Sequence, residues 1–276
     1  MAATVLITGC SSGIGKSTAL KFRSACWNVV ATMRDADRWT EPAIDGLLPL
    51  SLDVCDGDSI SVALKTAFER FGTMDCVVNN AGAGLFSVFE ATPMQTMQDV
   101  FETNFFGPLK VMRAAIPYFK QSGGGRFINV TSASSISPDP LMTIYGASKA
   151  ALDSFSESLR YELGPSKIDV KVVIPGFVPT TSFIRQTQSA AESIPIPEPY
   201  QGYVHQRLQA YTTKLSFTPI SEEDVATAIL IAAADDTDRL RFTVGEDAEM
   251  MAHMRWETFE KAYNEWTNAR FSPTSS

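Results

Sequence analysis

Short apolar runs alternate with longer stretches of helical spacing along most of the chain, and this alternation constrains the fold more than any other feature. The runs are rich in the β-branched residues that favour strands. Strands that alternate with helices form right-handed βαβ units and a parallel sheet. The sequence therefore predicts an α/β fold with strands at Thr4–Thr8, Asn28–Met33, Leu48–Leu52, Cys76–Asn79, Arg126–Thr131, Asp169–Ile174 and Phe242–Val244.

Capping residues and prolines locate the ends of several helices. Asp56 is a suitable N-cap for the helix after the third strand, and Ser221–Asp224 has the form of a capping box. A long helix is predicted within Met94–Lys120, where Pro108 and Pro117 bend or bound it. We expect these helices to connect successive strands.

Composition narrows the class of function. The formal net charge is −8 at pH 7, whereas nucleic-acid binders usually present a basic face, so we expect no nucleic-acid partner. The four cysteines form no C-x-x-C pair, and the two histidines lie far from them in sequence. We therefore expect free thiols and no metal site.

The hydropathy pattern and the first residues bear on location. The chain runs straight into a strand without a basic start or a cleavage site, so we expect no secretory signal. No apolar run approaches the ~20 residues that a bilayer span needs. The expectation is a cytoplasmic protein with one domain over residues 1–276.

Residues 177–220 differ from the rest of the chain. They are rich in proline and aromatic residues, and residues 194–200 read I-P-I-P-E-P-Y. The segment is too long for an ordinary connection. A lid over the substrate, or an inserted pair of short helices, is expected within this predicted domain.

A glycine-rich turn, T-G-C-S-S-G-I-G, follows the first predicted strand at residues 8–15. Glycines let the backbone turn tightly and approach a pyrophosphate, which then lies on a helix N-terminus. An isolated match also fits a plain strand–helix turn. The strand before it and the helix after it favour dinucleotide binding.

Ser132, Tyr145 and Lys149 form a second pattern. Tyr145 and Lys149 are four residues apart, so they share one face of a helix, and a nearby cation lowers the pKa of a tyrosine. Ser132, thirteen residues before Tyr145, can donate a hydrogen bond to the same substrate oxygen. Taken singly, the pair also fits an amphipathic surface and the serine a turn; together they indicate proton transfer to or from a carbonyl or alcohol oxygen.

Together these motifs resemble the short-chain dehydrogenase/reductase family, in its short single-domain type. The resemblance rests on the glycine spacing, Asn79–Gly82, Ser132, the Y-G-A-S-K run and Pro175–Thr180, and it covers roughly residues 4–181. It implies a Rossmann-like doubly wound parallel sheet of about seven strands with helices on both faces. It also implies an NADP(H)-dependent oxidoreductase that transfers a hydride between nicotinamide and a carbonyl or secondary alcohol carbon.

The same resemblance implies the catalytic roles. Tyr145 is the general acid/base, and Lys149 is its electrostatic partner and a ligand of the cofactor ribose. Ser132 stabilises the substrate oxygen. Asn104, in T-N-F-F-G-P, matches the asparagine that holds a proton-relay water.

The predicted cofactor site spans five loops. Asp53 matches an acid that contacts the adenine, although it also fits a plain helix N-terminal charge. The resemblance implies that the loop after the sixth strand lies over the nicotinamide. The expected cofactor-binding residues are Gly9, Ser11, Ser12, Gly13, Ile14, Gly15, Arg34, Asp53, Val54, Asn80, Ala81, Gly82, Tyr145, Lys149, Pro175, Gly176, Val178 and Thr180.

The end of the second strand, A-T-M-R-D, bears on the choice between NADP and NAD. An acid there would bind the ribose hydroxyls and favour NAD, but Met33 takes that position. Arg34 can clamp a 2′-phosphate, which favours NADP(H). An arginine paired with Asp35 or Asp37 is the plainer alternative, and a shift of one residue makes NAD(H) possible.

The substrate side gives a broader prediction. T-G-C-S-S-G-I-G, A-T-M-R-D and V-G-E-D-A (244–248) are most similar to the hydroxysteroid and retinol dehydrogenase branch and its microbial relatives. This implies a small, apolar carbonyl or alcohol substrate, and a homodimer or homotetramer. The alternative is a non-catalytic NADP-binding redox sensor or regulatory protein.

Overall fold

The computed structural model describes residues 2–180, 194–213 and 217–271. Its strands are β1 (Thr4–Thr8), β2 (Asn28–Met33), β3 (Leu47–Ser51), β4 (Cys76–Asn79), β5 (Gly125–Val130), β6 (Ile168–Pro175) and β7 (Arg241–Val244). They form one seven-stranded sheet in the order β3-β2-β1-β4-β5-β6-β7. All neighbouring strands run parallel. The predicted strands are therefore confirmed to within one or two residues at their ends.

The helices connect these strands and then extend past them. They are α1 (Gly13–Ser24), α2 (Gly57–Phe71), α3 (Met94–Phe101), α4 (Gly107–Ser122), α5 (Thr143–Leu163), α6 (Gln201–Thr213), α7 (Glu222–Ala234), α8 (Glu246–Trp256) and α9 (Glu260–Phe271). Within the described ranges, no helix has both the length and the apolar character needed to cross a bilayer.

Alternation along β1 divides the core into two layers. Val5 and Ile7 join a cluster with Phe22 of α1 and Ile229 of α7, and Leu6 points to the opposite cluster with α2, α4 and α5. Successive side chains of a strand face opposite sides, so a strand covered on both faces is apolar throughout. The predicted Rossmann-like doubly wound sheet with helices on both faces is confirmed.

The predicted helix at Met94–Lys120 is divided. α3 ends at Phe101, residues Glu102–Phe106 form a π-helical turn, and α4 begins at Gly107. Pro108 has no N–H to donate to the carbonyl four residues earlier, which disfavours a regular turn there. Pro117 lies inside α4 without ending it.

Two predicted caps are present. The side chain of Asp56 accepts a hydrogen bond from the Asp58 amide at 2.9 Å. Ser221 Oγ accepts from the Asp224 amide at 3.2 Å, and Asp224 Oδ2 accepts from the Ser221 amide at 2.8 Å, which completes a capping box. These bonds satisfy N–H groups that a helix start leaves without intrahelical partners.

A chain of buried side-chain hydrogen bonds crosses the sheet below the carboxyl edge. Asn79 Nδ2 donates to Asn129 Oδ1 at 2.8 Å, and Asn129 Nδ2 donates to Ser156 Oγ at 2.8 Å. Asn129 and Ser156 are fully buried. Because unpaired polar groups are costly in a dry interior, this chain fixes β4, β5 and α5 relative to one another.

Replacing Asn129 by Leu should destabilise the protein by about 1–3 kcal/mol, because the buried Asn79 amide then loses its acceptor. Asn28→Ala is the control, since the hydrogen bond from the Asn28 side-chain amide to the Ala2 carbonyl is exposed. We expect it to change the free energy of unfolding by less than about 0.5 kcal/mol. Denaturant unfolding measures both values. Equal losses in the two variants would contradict a structural role for the buried chain.

Candidate active site

The candidate site lies where the carboxyl ends of β1, β4, β5 and β6 meet. The strand order reverses between β1 and β4, and the loops that leave these two strands diverge. Such a switch point is where open parallel sheets bind ligands. The predicted site residues follow these four strands, with Arg34 and Asp53 after β2 and β3.

The glycine turn has the geometry that a phosphate-binding loop requires. Gly9 has φ +77° and Gly13 has φ +58°, both in the left-handed region that side chains disfavour. A Cβ on Gly15 would overlap the carbonyl oxygen of Gly9, so only glycine fits there. No acidic residue lies in the first turn of α1, so the helix N-terminus suits an anion. These residues fit a dinucleotide.

Thr8 joins the glycine turn to the loop after β4. Its Oγ1 accepts hydrogen bonds from the amides of Asn80 and Ala81, each at 3.0 Å. Asn80 Nδ2 donates to the Thr8 carbonyl at 2.9 Å. The side chain of Asn80 therefore braces the two loops against each other.

Asn104 lies in the π-helical turn, and its side chain is bonded to protein atoms. Its Oδ1 accepts from the Ala83 amide at 2.7 Å, and its Nδ2 donates to the Ala83 carbonyl at 2.8 Å and to Ser148 Oγ at 3.0 Å. Ser148 Oγ donates to the Tyr145 carbonyl at 2.7 Å. Asn104 therefore connects the loop after β4 to α5, and its predicted hold on a relay water stays a prediction.

Tyr145 and Ser132 are brought together as predicted, and their side chains are hydrogen-bonded. Only 6% of Tyr145 is exposed. Burial raises its pKa to about 12, although the bond with Ser132 lowers it; the charge of Asp139 raises it further. The sequence predicts a lowered pKa, and that expectation is wrong for this structure because desolvation outweighs the favourable contacts.

Lys149 lies one turn beyond Tyr145 on α5 and is also buried. Its Nζ donates to the Val130 carbonyl at 2.9 Å. Burial lowers the pKa of Lys149 to about 8. A Cβ on Gly82 would lie 3.4 Å from Nζ, so the ammonium is next to the loop after β4. The ammonium is thus placed between that loop and the end of β5.

The loop after β6 is held by a residue to which the sequence motifs assign no role. Gly176 N donates to the Val244 carbonyl at 2.8 Å, and Phe177 N donates to Asp247 Oδ2 at 2.7 Å. A Cβ on Gly176 would overlap the Asp247 carboxylate. Asp247 belongs to the V-G-E-D-A run, so that motif is the sequence signal that marks it. Val178 of the same loop is buried, and Thr180 is exposed.

Arg34, Asp53 and Val54 follow β2 and β3 at the same edge. Arg34 is exposed, and within the described residues it forms no ion pair with Asp35 or Asp37; the Asp35 side chain instead accepts from the Asp37 amide. Asp53 Oδ1 accepts from the Cys55 amide at 2.9 Å. Val54 is buried. Arg34 is thus an exposed residue at the end of the predicted cofactor site.

The predicted lid, residues 177–220, is described in part. Residues 181–193 and 214–216 lie outside the described residues. The described part contains a 3₁₀ turn, Glu198–Tyr200, and α6. Val204 of α6 packs with Val88 and Leu141, beside the start of α5. The closing motion of a lid stays a prediction.

Comparisons with known proteins agree with this geometry. The chain matches the short chain dehydrogenase family over residues 3–191. It is 37% identical over 187 residues to retinol dehydrogenase 8 of Bos taurus, covering 64% of this chain and 59% of that protein. It is 31% identical over 271 residues to 11-beta-hydroxysteroid dehydrogenase A of Sesamum indicum, covering 95% and 73% respectively. A crystal structure of a short-chain dehydrogenase from Streptomyces avermitilis has 29% identity and a TM-score of 0.81, and the match covers 99% of each chain.

The family match covers more than half of the chain, and the chain therefore belongs to the short chain dehydrogenase family of oxidoreductases. The resemblance to the hydroxysteroid and retinol dehydrogenase branch and its microbial relatives is confirmed.

The lowered pKa of Lys149 predicts a pH-dependent stability. Between about pH 8 and 10.5, the unfolded chain keeps a proton on Lys149 that the folded protein has lost. The free energy of unfolding should therefore rise with pH across this window, by up to about 3 kcal/mol from this residue. Lys149→Met removes the contribution, so the wild-type minus variant difference should rise as pH increases. A flat difference would contradict the burial of a titrating ammonium.

Proposed function

We propose that the protein is an NADP(H)-dependent carbonyl reductase or alcohol dehydrogenase that acts on an apolar substrate. One observation carries the proposal: the buried Tyr145 hydroxyl is bonded to Ser132, with Lys149 one turn away, at the edge that bears the glycine turn. In this proposal Tyr145 is the proton donor, Ser132 is the oxyanion-binding hydroxyl and Lys149 is the cation beside a dinucleotide-type loop.

The cofactor supplies the hydride, and the chain supplies the proton and the orientation. The pKa of Tyr145, about 12, lies far above neutral pH, so the hydroxyl keeps its proton and can act as the acid in carbonyl reduction. Ser132 donates a hydrogen bond to the same substrate oxygen. In alcohol oxidation the proton moves the other way: Tyr145 must first lose its own proton to solvent, and the phenolate then accepts the proton of the substrate hydroxyl.

The proposed cofactor contacts extend across the sheet edge. Gly9–Gly15 and the N-terminus of α1 would hold the pyrophosphate. Lys149, next to Gly82, would hold the ribose on the nicotinamide side. Asp53 and Val54 would contact the adenine, and Arg34 would pair with a 2′-phosphate.

The substrate side of the proposal rests on an apolar cluster beside the start of α5, the helix that carries Tyr145. Val88, Leu141 and Val204 form one buried cluster, and the partly buried Tyr200 and Tyr203 pack against it. A carbonyl or alcohol carbon on an apolar body suits such a wall. Retinol dehydrogenase 8 and 11-beta-hydroxysteroid dehydrogenase A, by their names, act on molecules of this kind.

The non-catalytic redox sensor gains no support from the site, because Ser132, Tyr145 and Lys149 are all present and close together. The single domain, the homodimer or homotetramer and the cytoplasmic location stay predictions.

Arg34→Ala should weaken NADPH binding by about 1.5–3 kcal/mol, since a bond to a charged phosphate is lost. NADH binding should change little, because NADH has no 2′-phosphate. Arg38→Ala, at an exposed arginine of the same loop, is the matched control. Quenching of protein fluorescence by each cofactor measures the constants. An equal loss for NADPH and NADH would remove the basis for NADP selectivity.

Tyr145→Phe removes only the hydroxyl, so NADPH binding should persist while turnover falls by ~10²–10⁴-fold. Lys149→Met should impair both turnover and NADPH binding, and the double variant should be little worse than the worse single one. Tyr161→Phe is the control, because that tyrosine is exposed on the same helix. NADPH consumption with a panel of ketones and aldehydes gives the rates.

If Tyr145→Phe keeps most of its turnover while the chemical step is rate-limiting, another residue must transfer the proton. Failure of the wild-type protein to bind NADPH and NADH would overturn the proposal as a whole.

A further inference from the structure

Helix α9 is bonded to the loop that connects Ser132 to Tyr145. Tyr263 Oη donates to Ser137 Oγ at 3.3 Å, and Arg270 Nη2 donates to Asp139 Oδ1 at 3.2 Å. Tyr263 and Arg270 are about two helical turns apart, so α9 holds the loop at two points. The loop carries both proposed reactive side chains at its ends.

Asp139 is a carboxylate that needs partners within the protein, because only 9% of it is exposed to solvent. A buried carboxylate is stable only when paired and hydrogen-bonded. Ser134 Oγ donates to its Oδ2 at 3.3 Å, and Arg270 is its ion-pair partner. Burial raises the pKa of Asp139, whereas Arg270, Ser134 and Arg207 lower it and Asp247 raises it.

Helix α6 joins the same corner. Arg207 Nη1 donates to the Arg270 carbonyl at 3.0 Å, and its guanidinium lies 5.2 Å from the centre of the Phe271 ring. Arg270 therefore contacts the loop through its side chain and α6 through its backbone. Asp139 lies inside the family match at residues 3–191, whereas Arg207 and Arg270 lie beyond it.

The position of Asp139 matters to the proposed proton donor, because its charge acts on Tyr145. When Arg270 pairs with Asp139, it fixes the carboxylate and partly neutralises its field. Without the guanidinium, the buried carboxylate would lose its ion-pair partner and keep only the Ser134 hydrogen bond and the charge of Arg207. The less compensated charge would favour movement of the loop towards water.

We propose that Arg270 is a positioning residue: it fixes Asp139, and thereby the Ser132–Tyr145 loop, so that the C-terminal helix completes the active site. This inference rests on the proposed function for its kinetic consequence. The placement of the loop by Arg270 can be tested without turnover.

The experiment compares Arg270→Met, Asp139→Asn and the double variant with the wild-type protein. Arg270→Met should lower kcat by about 10- to 100-fold, the effect of a small displacement of reacting groups. NADPH affinity should stay within about threefold, because the glycine turn is held by Thr8 and not by α9. The double variant should recover most of the lost kcat, because no unpaired charge remains and neighbours in one network are non-additive.

Arg270→Lys, which keeps the charge, should retain more turnover than Arg270→Met. Lys261→Met is the matched control on α9, since Lys261 is exposed and pairs only with Glu265 among the described residues. Its turnover should be unchanged. Thermal unfolding reports whether each variant is folded, and the double variant keeps the test decisive if Arg270→Met does not fold.

Amide hydrogen exchange in residues 133–142 measures how firmly the loop is held, without any need for turnover. Exchange should accelerate in Arg270→Met and return towards the wild-type rate in the double variant. Unchanged exchange in a folded Arg270→Met, or an equal loss of kcat in that variant and the double variant, would overturn the inference. A wild-type protein without turnover, but with the expected exchange pattern, would instead contradict the proposed function.

Discussion

The hydrogen bonds that converge on Thr8 hold together the crevice on which the rest of the site depends. At the switch point between β1 and β4 the loops diverge, and their backbone groups would otherwise lack partners. Thr8 accepts from two amides of the β4 loop, and Asn80 donates back to the Thr8 carbonyl. The glycine turn and Gly82 are thereby fixed relative to each other, and Lys149 is placed beside them.

Burial, more than the spacing of charges, governs the electrostatics of this edge. It raises the pKa of Tyr145 and lowers the pKa of Lys149, so both side chains are shifted towards their neutral forms. If the proposed function is correct, a tyrosine that keeps its proton near neutral pH suits the reduction direction. Oxidation then requires a contact that stabilises the phenolate, and Ser132 is one such group.

Much of the fold and part of the site could be predicted from local patterns. The strands are apolar because both faces of the sheet are covered, and the caps at Asp56 and Ser221 follow from side chains that reach their own helix starts. The sequence does not predict the π-helical turn at Asn104, because helical periodicity continues through it. The sequence does not predict that the pKa of Tyr145 is raised, because a spacing of four residues indicates a shared helix face but not how deeply that face is buried.

The residues that no local pattern pairs are those that join distant parts of the chain. Phe177 and Asp247 are separated by 70 positions, and Asp139 and Arg270 by 131. In both pairs a carboxylate anchors a loop at the carboxyl edge, and in each pair one partner lies beyond residue 191, where the family match ends. The glycine turn, Ser132, Tyr145 and Lys149 lie in the matched part, whereas α6, α8 and α9 brace the loops around them. The matched part of the chain therefore carries the proposed reactive groups, and the C-terminal helices carry the contacts that hold the loops around them.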